Sequence, residues 1–202
     1  MTSTFRMAAA GLLSALAFAG AQAATVYSND FTGVGQIASP GSLGTSFSAA
    51  GGAGELTMDL LGFASLDGNG NCCTDVFHLS VNGIEIFTGS FNMGGGGVNT
   101  VMLAPAGSSV LTTTNGASDD PHNSTQITWA GGLTHIVVPV ALVGGTNTVN
   151  FAYTGAYQGT GDEAWGVGAV TVTSAVPEPE SYALMLAGLG VLGLTVRRRA
   201  SR

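Results

Sequence analysis

The sequence predicts an all-β fold, a β-sandwich most simply of the jelly-roll kind, for the part of the chain between its two terminal signals. Three observations predict it. Residues Ala24 to Val176 hold 27 of the chain's 32 glycines, about 18% of that stretch against an average near 7%. The same stretch is rich in Thr, Ser, Asn and Val, which suit strands and tight turns better than helices. Short apolar runs with period-two alternation recur along it, separated by turn residues.

In chain order, residues 1–23 read as a signal peptide. Arg6 supplies the positive region, Gly11 to Gly20 the apolar region, and Ala21-Gln22-Ala23 a small-x-small cleavage site, so the mature chain is expected to start at Ala24. The competing reading is an N-terminal anchor, but the apolar run is too short to span a bilayer. Thr25 to Phe31 is expected as the first strand and Glu55 to Ala64 as the second. Asp75 to Val81 alternates, with Phe77, Leu79 and Val81 on one face, and Asn82-Gly83 then leads into Ile84 to Phe87. Asn-Gly between two such runs is a strong hairpin signal, since both residues tolerate positive φ. Gly94 to Gly97 and Thr112 to Ser124 read as long loops. Further strands are expected at Gln126 to Ala130, Leu133 to Val140, Thr146 to Tyr153 and Ala164 to Thr173, with Val149, Phe151 and Tyr153 sharing a face. Pro139 makes its strand end an edge or bulge position.

Charge is segregated. All five basic residues, Arg6, Arg197, Arg198, Arg199 and Arg202, lie in the terminal segments, whereas residues 24–176 carry ten acids and no Lys or Arg. No carboxylate there can form an ordinary Lys or Arg salt bridge. One that is buried must be protonated, be hydrogen-bonded, or bind a metal ion. Such a domain repels nucleic acid and anionic lipid, which excludes both as partners. A solvated acidic face accounts for most of the acids, but not for those beside apolar strand patterns.

Two segments stand out. Asp67-Gly-Asn69-Gly-Asn71-Cys-Cys-Thr-Asp75 sets oxygen side chains at alternate positions of a Gly-rich loop, which suits one hard cation such as calcium. It is not an EF-hand, because Cys72 stands where the turn glycine belongs and His78 where the bidentate Glu belongs. The alternative is a polar turn whose Asp and Asn cap their own backbone. Gly161-Asp162-Glu163-Ala-Trp165 places two adjacent acids just before the last strand, where they can complete the same site. Trp165 packs in the core or offers a flat face to a ligand.

Together, D-G-N…C-C-x-D-x-F-x-L-x-V-N-G-x-x-I-F over Leu66 to Phe87 and G-D-E-x-W-G-V-x-x-V-x-V over Gly161 to Val172 resemble lectin-like β-sandwich domains of exported bacterial proteins. The resemblance implies a calcium site at Asp67, Asn69, Asp75, Asp162 and Glu163. Where related sequences often have Asp four residues after the Trp, this chain has Ala169. Cys72 and Cys73 are the only cysteines. Export favours their oxidation to a strained vicinal disulfide, with intermolecular bridging or two unpaired thiols as the alternatives. Zinc spacing is absent. Asp119-Asp120-Pro-His122 sets acids near a histidine, but neither a G-x-S-x-G elbow nor an H-E-x-x-H motif occurs, and His78 and His135 sit within strand patterns. The chain is therefore expected not to be an enzyme.

From residue 177 the chain reads as a tail. Pro177, Glu178 and Pro179 form an extended linker; Ser181 to Val196 is apolar and uncharged; Arg197, Arg198 and Arg199 follow. As a helix the apolar part spans roughly 24 Å and is expected to insert once in the inner membrane, with the arginines cytoplasmic. A simple C-terminal anchor is the alternative. This order resembles the PEP-CTERM sorting signal, over residues 177–202. The resemblance implies recognition by an exosortase, removal of the tail, and delivery to the cell surface or extracellular matrix of a Gram-negative bacterium. The expected function is a non-catalytic, calcium-stabilised component of that matrix or biofilm that binds extracellular polysaccharide. The rivals are a secreted polysaccharide hydrolase and a purely structural protein without a small ligand.

Overall fold

Side-chain alternation sorts the strands into two sheets that bury their facing sides against each other. The computed structural model describes residues 22–63, 65–114, 131–176, 183, 185–192 and 197. In chain order the strands are β1 (Gln22–Asp30), β2 (Ile37–Ala38), β3 (Gly41–Ala49), β4 (Gly52–Gly62), β5 (Leu66–Asp67), β6 (Val76–Val81), β7 (Ile84–Ser90), β8 (Gly94–Gly96), β9 (Thr100–Leu103), β10 (Ser109–Thr114), β11 (Gly132–Leu142), β12 (Gly145–Thr154) and β13 (Ala164–Val176). One sheet runs β1-β13-β4-β11-β10, with β2 beside β13. The other runs β3-β12-β6-β7-β9, and β5 and β8 form a small parallel pair of their own. The connections from β3 to β4, β11 to β12 and β12 to β13 each cross between the sheets, the wound arrangement of a jelly roll. Residues 23–175 make up one unit.

The inner faces follow period two. Leu56, Met58 and Leu60 of β4 stand opposite Val138, Ile136 and Thr134 of β11. On the other sheet Val149, Phe151 and Tyr153 of β12 stand opposite Val81, Leu79 and Phe77 of β6. Among these, Leu56, Met58, Leu60, Ile136, Val138, Leu79, Phe77 and Phe151 have no exposed surface at all. At about 1.5–3 kcal/mol for each fully buried side chain, these inner faces are the main source of stability. The shared face expected for Phe77, Leu79 and Val81, and that for Val149, Phe151 and Tyr153, are both present.

The hairpin at Asn82-Gly83 is also present, with φ of 53° and 77° at the two residues. Its role is wider than a turn. Asn82 Nδ2 donates to Asn147 Oδ1 at 2.9 Å, and Thr148 N donates to Asn82 Oδ1 at 2.9 Å. Asn147 is itself fully buried and clamps the turn between β11 and β12 through Val143 N and O, each at 2.9 Å. Pro139 pairs only with β4, because β10 ends its pairing at Val137.

Several expectations are corrected. Gly94 to Gly96 is not loop but β8, because β5 offers it a backbone partner. Thr112 to Thr114 belong to β10, paired with β11. β3 was not expected at all: its Gly, Ser and Thr content hides an alternation in which only Phe47 is fully buried. The signal peptide as far as residue 21, Ala64, the strand expected at 126–130, the Asp119 to His122 segment, and Pro177, Glu178, Pro179, Arg198 and Arg199 lie outside the described residues. β1 begins at Gln22, two residues before the expected mature start. Residues 185–192 are helical, and among the described residues no helix is long and apolar enough to cross a membrane.

Replacing Asn82 tests the hairpin clamp. Asn82→Ala should lower unfolding stability in urea by about 2 kcal/mol, roughly half from the left-handed backbone and half from the hydrogen bonds to Asn147 and Thr148. Asn82→Gly should recover only the backbone share. Equal losses for the two variants would show that backbone conformation contributes nothing.

Candidate metal centre

Three separate segments deliver three buried acids to one place. β5 carries Asp67, the foot of β6 carries Asp75, and the residue before β13 is Glu163. Asp67 is 6% exposed, Asp75 0% and Glu163 1%. The Gly-rich loop between the first two folds back because its own polar groups tie it. Asn71 Nδ2 donates to Asp67 Oδ1 at 2.6 Å and to Gly95 O at 2.9 Å, while Asn71 Oδ1 accepts from Cys72 N at 2.8 Å. Thr74 Oγ1 donates to Asn71 O at 3.2 Å. The loop is a self-capping polar turn, and Asp67 and Asp75 meet at its two ends.

The acids are clasped reciprocally. Asp67 N donates to Asp75 Oδ2 at 3.0 Å, and Asp75 N donates to Asp67 O at 3.1 Å. Ser39 Oγ donates to Asp75 Oδ1 at 2.8 Å, and Ser39 N donates to Glu163 O at 3.1 Å. Gln158 Nε2 donates to Glu163 Oε1. Glu163 Oε2 is buried and has no hydrogen-bond partner. Gly95 and Gly155 line the cradle: a Cβ on Gly95 would collide with Asp67 Oδ1, and one on Gly155 with Asp75 Oδ1.

The other expected ligands are placed differently. Asp162 is exposed and accepts from Ser65 Oγ at 2.8 Å, close enough for its charge to act on all three buried acids. Asn69 is exposed and exchanges backbone hydrogen bonds with Val98 at 2.9 Å, so its side chain is not among the groups that meet Asp67. Asn71, two residues on, takes that place. Cys72 and Cys73 are two thiols with Sγ atoms 2.8 Å apart. His78 and His135 are each held by an acid on the outer face of a sheet, Nδ1 lying 2.7 Å from Glu85 Oε2 and from Asp59 Oδ1 respectively.

Electrostatics agrees with the geometry. Burial raises the Asp67 carboxyl above its ordinary value, against the hydrogen bond from Asn71, with Asp162 adding repulsion. Burial also raises Asp75, and the charges of Asp67 and Asp162 add to it. Glu163 is pushed up to about 7, first by burial and then by Asp75 and Asp67. No Lys or Arg exists in residues 24–176 to offset any of this. Three buried carboxylates, one with an unengaged oxygen, are a hard donor set, but their ligand atoms do not all lie within 4.8 Å of one another as placed. A ligand atom of Asp67 also lies within 4.8 Å of one from each of Cys72 and Cys73. The Cys73 thiol is pushed up to about 11, foremost by its hydrogen bond with Cys72. Ser39, Asn71, Gln158 and Tyr153 were not marked as site residues by the sequence. Only Asn71 carried a local signal, as the third oxygen side chain of the alternating series.

The comparisons with known proteins concern the two parts separately. Residues 175–199 match the PEP-CTERM protein-sorting motif, which marks an exported protein with a C-terminal sorting signal. No curated protein matches the chain. In fold the chain is similar to latent PorU from Porphyromonas gingivalis, with 12% identity and a TM-score of 0.38 over 68% of this chain and 10% of that one. The chain thus spans about a tenth of the length of that protein. It is also similar to a family 35 carbohydrate-binding module from an environmental isolate, with 18% identity and a TM-score of 0.34 over 74% of this chain and 82% of that one. A third is CBM35 from Cellvibrio japonicus Abf62, with 19% identity and a TM-score of 0.36 over 77% and 90% of the two chains.

The raised carboxyl of Glu163 sets a pH dependence for the metal-free protein. Between the model-peptide value of 4.5 and about 7 the folded chain holds a proton that the unfolded chain has lost. Its contribution is therefore fully present below 4.5 and falls as pH rises to about 7, by up to ~1.4 kcal/mol per pH unit. Chelator-treated protein should show a urea midpoint that drops from pH 5 to pH 7.5, and Glu163→Gln should flatten that drop. A wild-type midpoint constant across the range would show that neither burial nor the neighbouring acids hold a proton on Glu163.

Proposed function

We propose that the exported domain is a non-catalytic, calcium-stabilised component of the cell surface or extracellular matrix of a Gram-negative bacterium, with extracellular polysaccharide as its ligand. The observation that carries the reading is the buried carboxylate group of Asp67, Asp75 and Glu163, with one Glu163 oxygen unengaged and no basic side chain in the domain. Calcium accepts six to eight oxygens in irregular geometry, and extracellular modules bind it at millimolar levels. Holding one ion through all three carboxylates would require them to draw closer, since their ligand atoms do not all lie within 4.8 Å of one another. Bound calcium would supply the positive charge that the sequence omits and so hold together the segments that carry them.

The sorting motif supports delivery outside the cell by an exosortase-type enzyme, with transient anchoring in the inner membrane through the apolar tail. Polysaccharide is the ligand class implied by the lectin-like resemblance of Leu66 to Phe87 and Gly161 to Val172. One exposed aromatic is suitably set: Tyr157 is 76% exposed and precedes Gln158, the residue that holds Glu163. A flat ring on that loop can stack on a sugar ring. The hydrolase alternative is disfavoured by burial, since acid and base carboxylates must flank a substrate and water, whereas Asp75 and Glu163 are enclosed.

Thermal unfolding of residues 24–176 with calcium and with EDTA is the first test. Calcium at a hundredfold excess over its dissociation constant should stabilise by about 2.7 kcal/mol and raise the midpoint by roughly 5–10 °C. Asp75→Asn should abolish that rise, and an unshifted wild-type midpoint would overturn the calcium reading. Binding to immobilised bacterial polysaccharides should be calcium-dependent and at least tenfold weaker in Tyr157→Ala. No binding to any polysaccharide would leave the structural-protein reading in its place.

A further inference from the structure

The two cysteines have no part in the reading above, yet the fold brings them to an acid. Among the described residues, Asp67, Cys72 and Cys73 form a group whose ligand atoms, one carboxylate oxygen and two sulfurs, all lie within 4.8 Å of one another. Asp67 is buried, Cys73 half-buried and Cys72 exposed, so the sulfurs can be reached from solvent. The paired spacing of a zinc motif is not what assembles this group. Its oxygen comes from the end of β5 and both sulfurs from the turn that follows.

The turn is set without any ion. Its ends are tied by Asp67 N donating to Asp75 Oδ2 at 3.0 Å and by Asp75 N donating to Asp67 O at 3.1 Å. Asn71 then holds both kinds of ligand: its Nδ2 donates to Asp67 Oδ1 at 2.6 Å, and its Oδ1 accepts from Cys72 N at 2.8 Å. Outer partners of this sort orient metal ligands. The two Sγ atoms lie 2.8 Å apart. On one zinc ion, with about 2.3 Å to each sulfur in a tetrahedron, they would stand roughly 3.7 Å apart. Opening by about 1 Å is within reach of the side-chain torsions of two residues in a surface turn. Charge favours a cation as well. The negative charges of Asp67 and Glu163 act on Cys73, and residues 24–176 hold no Lys or Arg.

We propose that Asp67, Cys72 and Cys73 form a binding site for one thiophilic divalent cation of the zinc and cadmium kind, with a further coordination position open to solvent. Thiolate ligands select such ions over calcium and magnesium. The proposal does not rest on the calcium reading, because it uses a single carboxylate and asks for no approach by Asp75 or Glu163. An exported thiol pair is exposed to oxidation. Adjacent Cα atoms, about 3.8 Å apart, are nevertheless closer than a disulfide usually allows, so bridging is strained and the sulfurs stay open to a metal.

Cadmium is the probe, since its bond to thiolate absorbs in the ultraviolet. It is added to the reduced full-length protein in the absence of oxygen and of thiol reductants. The charge-transfer band should grow and saturate at about one ion per chain, and excess zinc should displace it. Cys72→Ser and Cys73→Ser should leave the urea midpoint in EDTA unchanged and should each raise the cadmium dissociation constant by at least about tenfold. Asp67→Asn keeps an acceptor for Asn71, and it should retain the band but bind cadmium about tenfold more weakly. Absence of the band in the wild type would overturn the proposal. Saturation at about half an ion per chain would overturn it too, because the ion would then bridge two chains. An unchanged affinity in Asp67→Asn would do the same by showing that the thiols bind without the carboxylate. Any calcium-dependent rise in melting temperature should persist in Cys72→Ser, so either reading can fail without the other.

Discussion

Three carboxylates occupy an enclosed space that contains no positive charge, and much of the architecture at that end of the sandwich exists to hold them there. The parallel pair of β5 and β8, the loop from Asn69 to Thr74, the Ser39 turn and the Gln158 loop all reach these acids. Each also contacts Asp67, Asp75 or Glu163 through a hydrogen bond. Burying one ionised carboxylate without a partner is costly, and burying three together compounds it by mutual repulsion. Without a cation, the domain answers as Glu163 does, by holding a proton near neutral pH. That is a compromise: protonation removes the repulsion but supplies no bonds between segments. A divalent ion drawn in between them would remove the repulsion and could also link the segments that carry them.

The sandwich behind the acids is what makes such a link specific. Aromatic side chains run inward from the site, Trp165 against Tyr153, Tyr153 against Phe77, Phe77 against Phe87 and Phe87 against Phe91, with centroids 5.3–6.3 Å apart. These belong to β13, β12, β6 and β7 or follow it, so both sheets contribute to one packed column. A site held on strand ends over such a column keeps its ligands in register better than one built on loops alone. The loops supply most of the oxygens and the strands fix where they start and end.

Much of this was legible in the sequence. The hairpin at Asn82-Gly83, the inward faces of β6 and β12, and the boundaries of β11, β12 and β13 follow from alternation and turn chemistry, which are local. Asp67, Asp75 and Glu163 could be singled out because acids beside apolar strands, in a domain without Lys or Arg, have no ordinary reason to be there. The rest depended on pairing across the chain. β8 is three glycines, with no side chains to alternate, and is a strand only because β5 lies beside it. Ser39 is 36 residues from the Asp75 it serves, and no local pattern marks it. The choice between Asn69 and Asn71 turned on backbone direction, since Asn69 spends its peptide groups on Val98 and faces outward. Tyr153 read correctly as an inward strand residue. That its hydroxyl ends beside Asp75 is a consequence of register between β12 and β6.

The segregation of charge gives the two halves of the sequence different duties. Every Lys or Arg of the chain lies in its terminal segments, the C-terminal one carrying the sorting motif, and residues 24–176 keep only histidines as bases. Among the described residues those histidines, His78 and His135, are engaged with Glu85 and Asp59 on the outer faces and are not available to the buried acids. Among the described residues no basic side chain is paired with the buried acids. A ligand that binds only the folded state shifts folding by its concentration relative to its dissociation constant. With an affinity in the range of extracellular calcium modules, the domain would gain little stability where free calcium is scarce and the full increment where it is plentiful. On this reading the missing basic residue is a device rather than a defect. A Lys or Arg inside the cluster would stabilise the fold everywhere, whereas a cation supplied by the surroundings stabilises it outside the cell, where the sorting motif sends it.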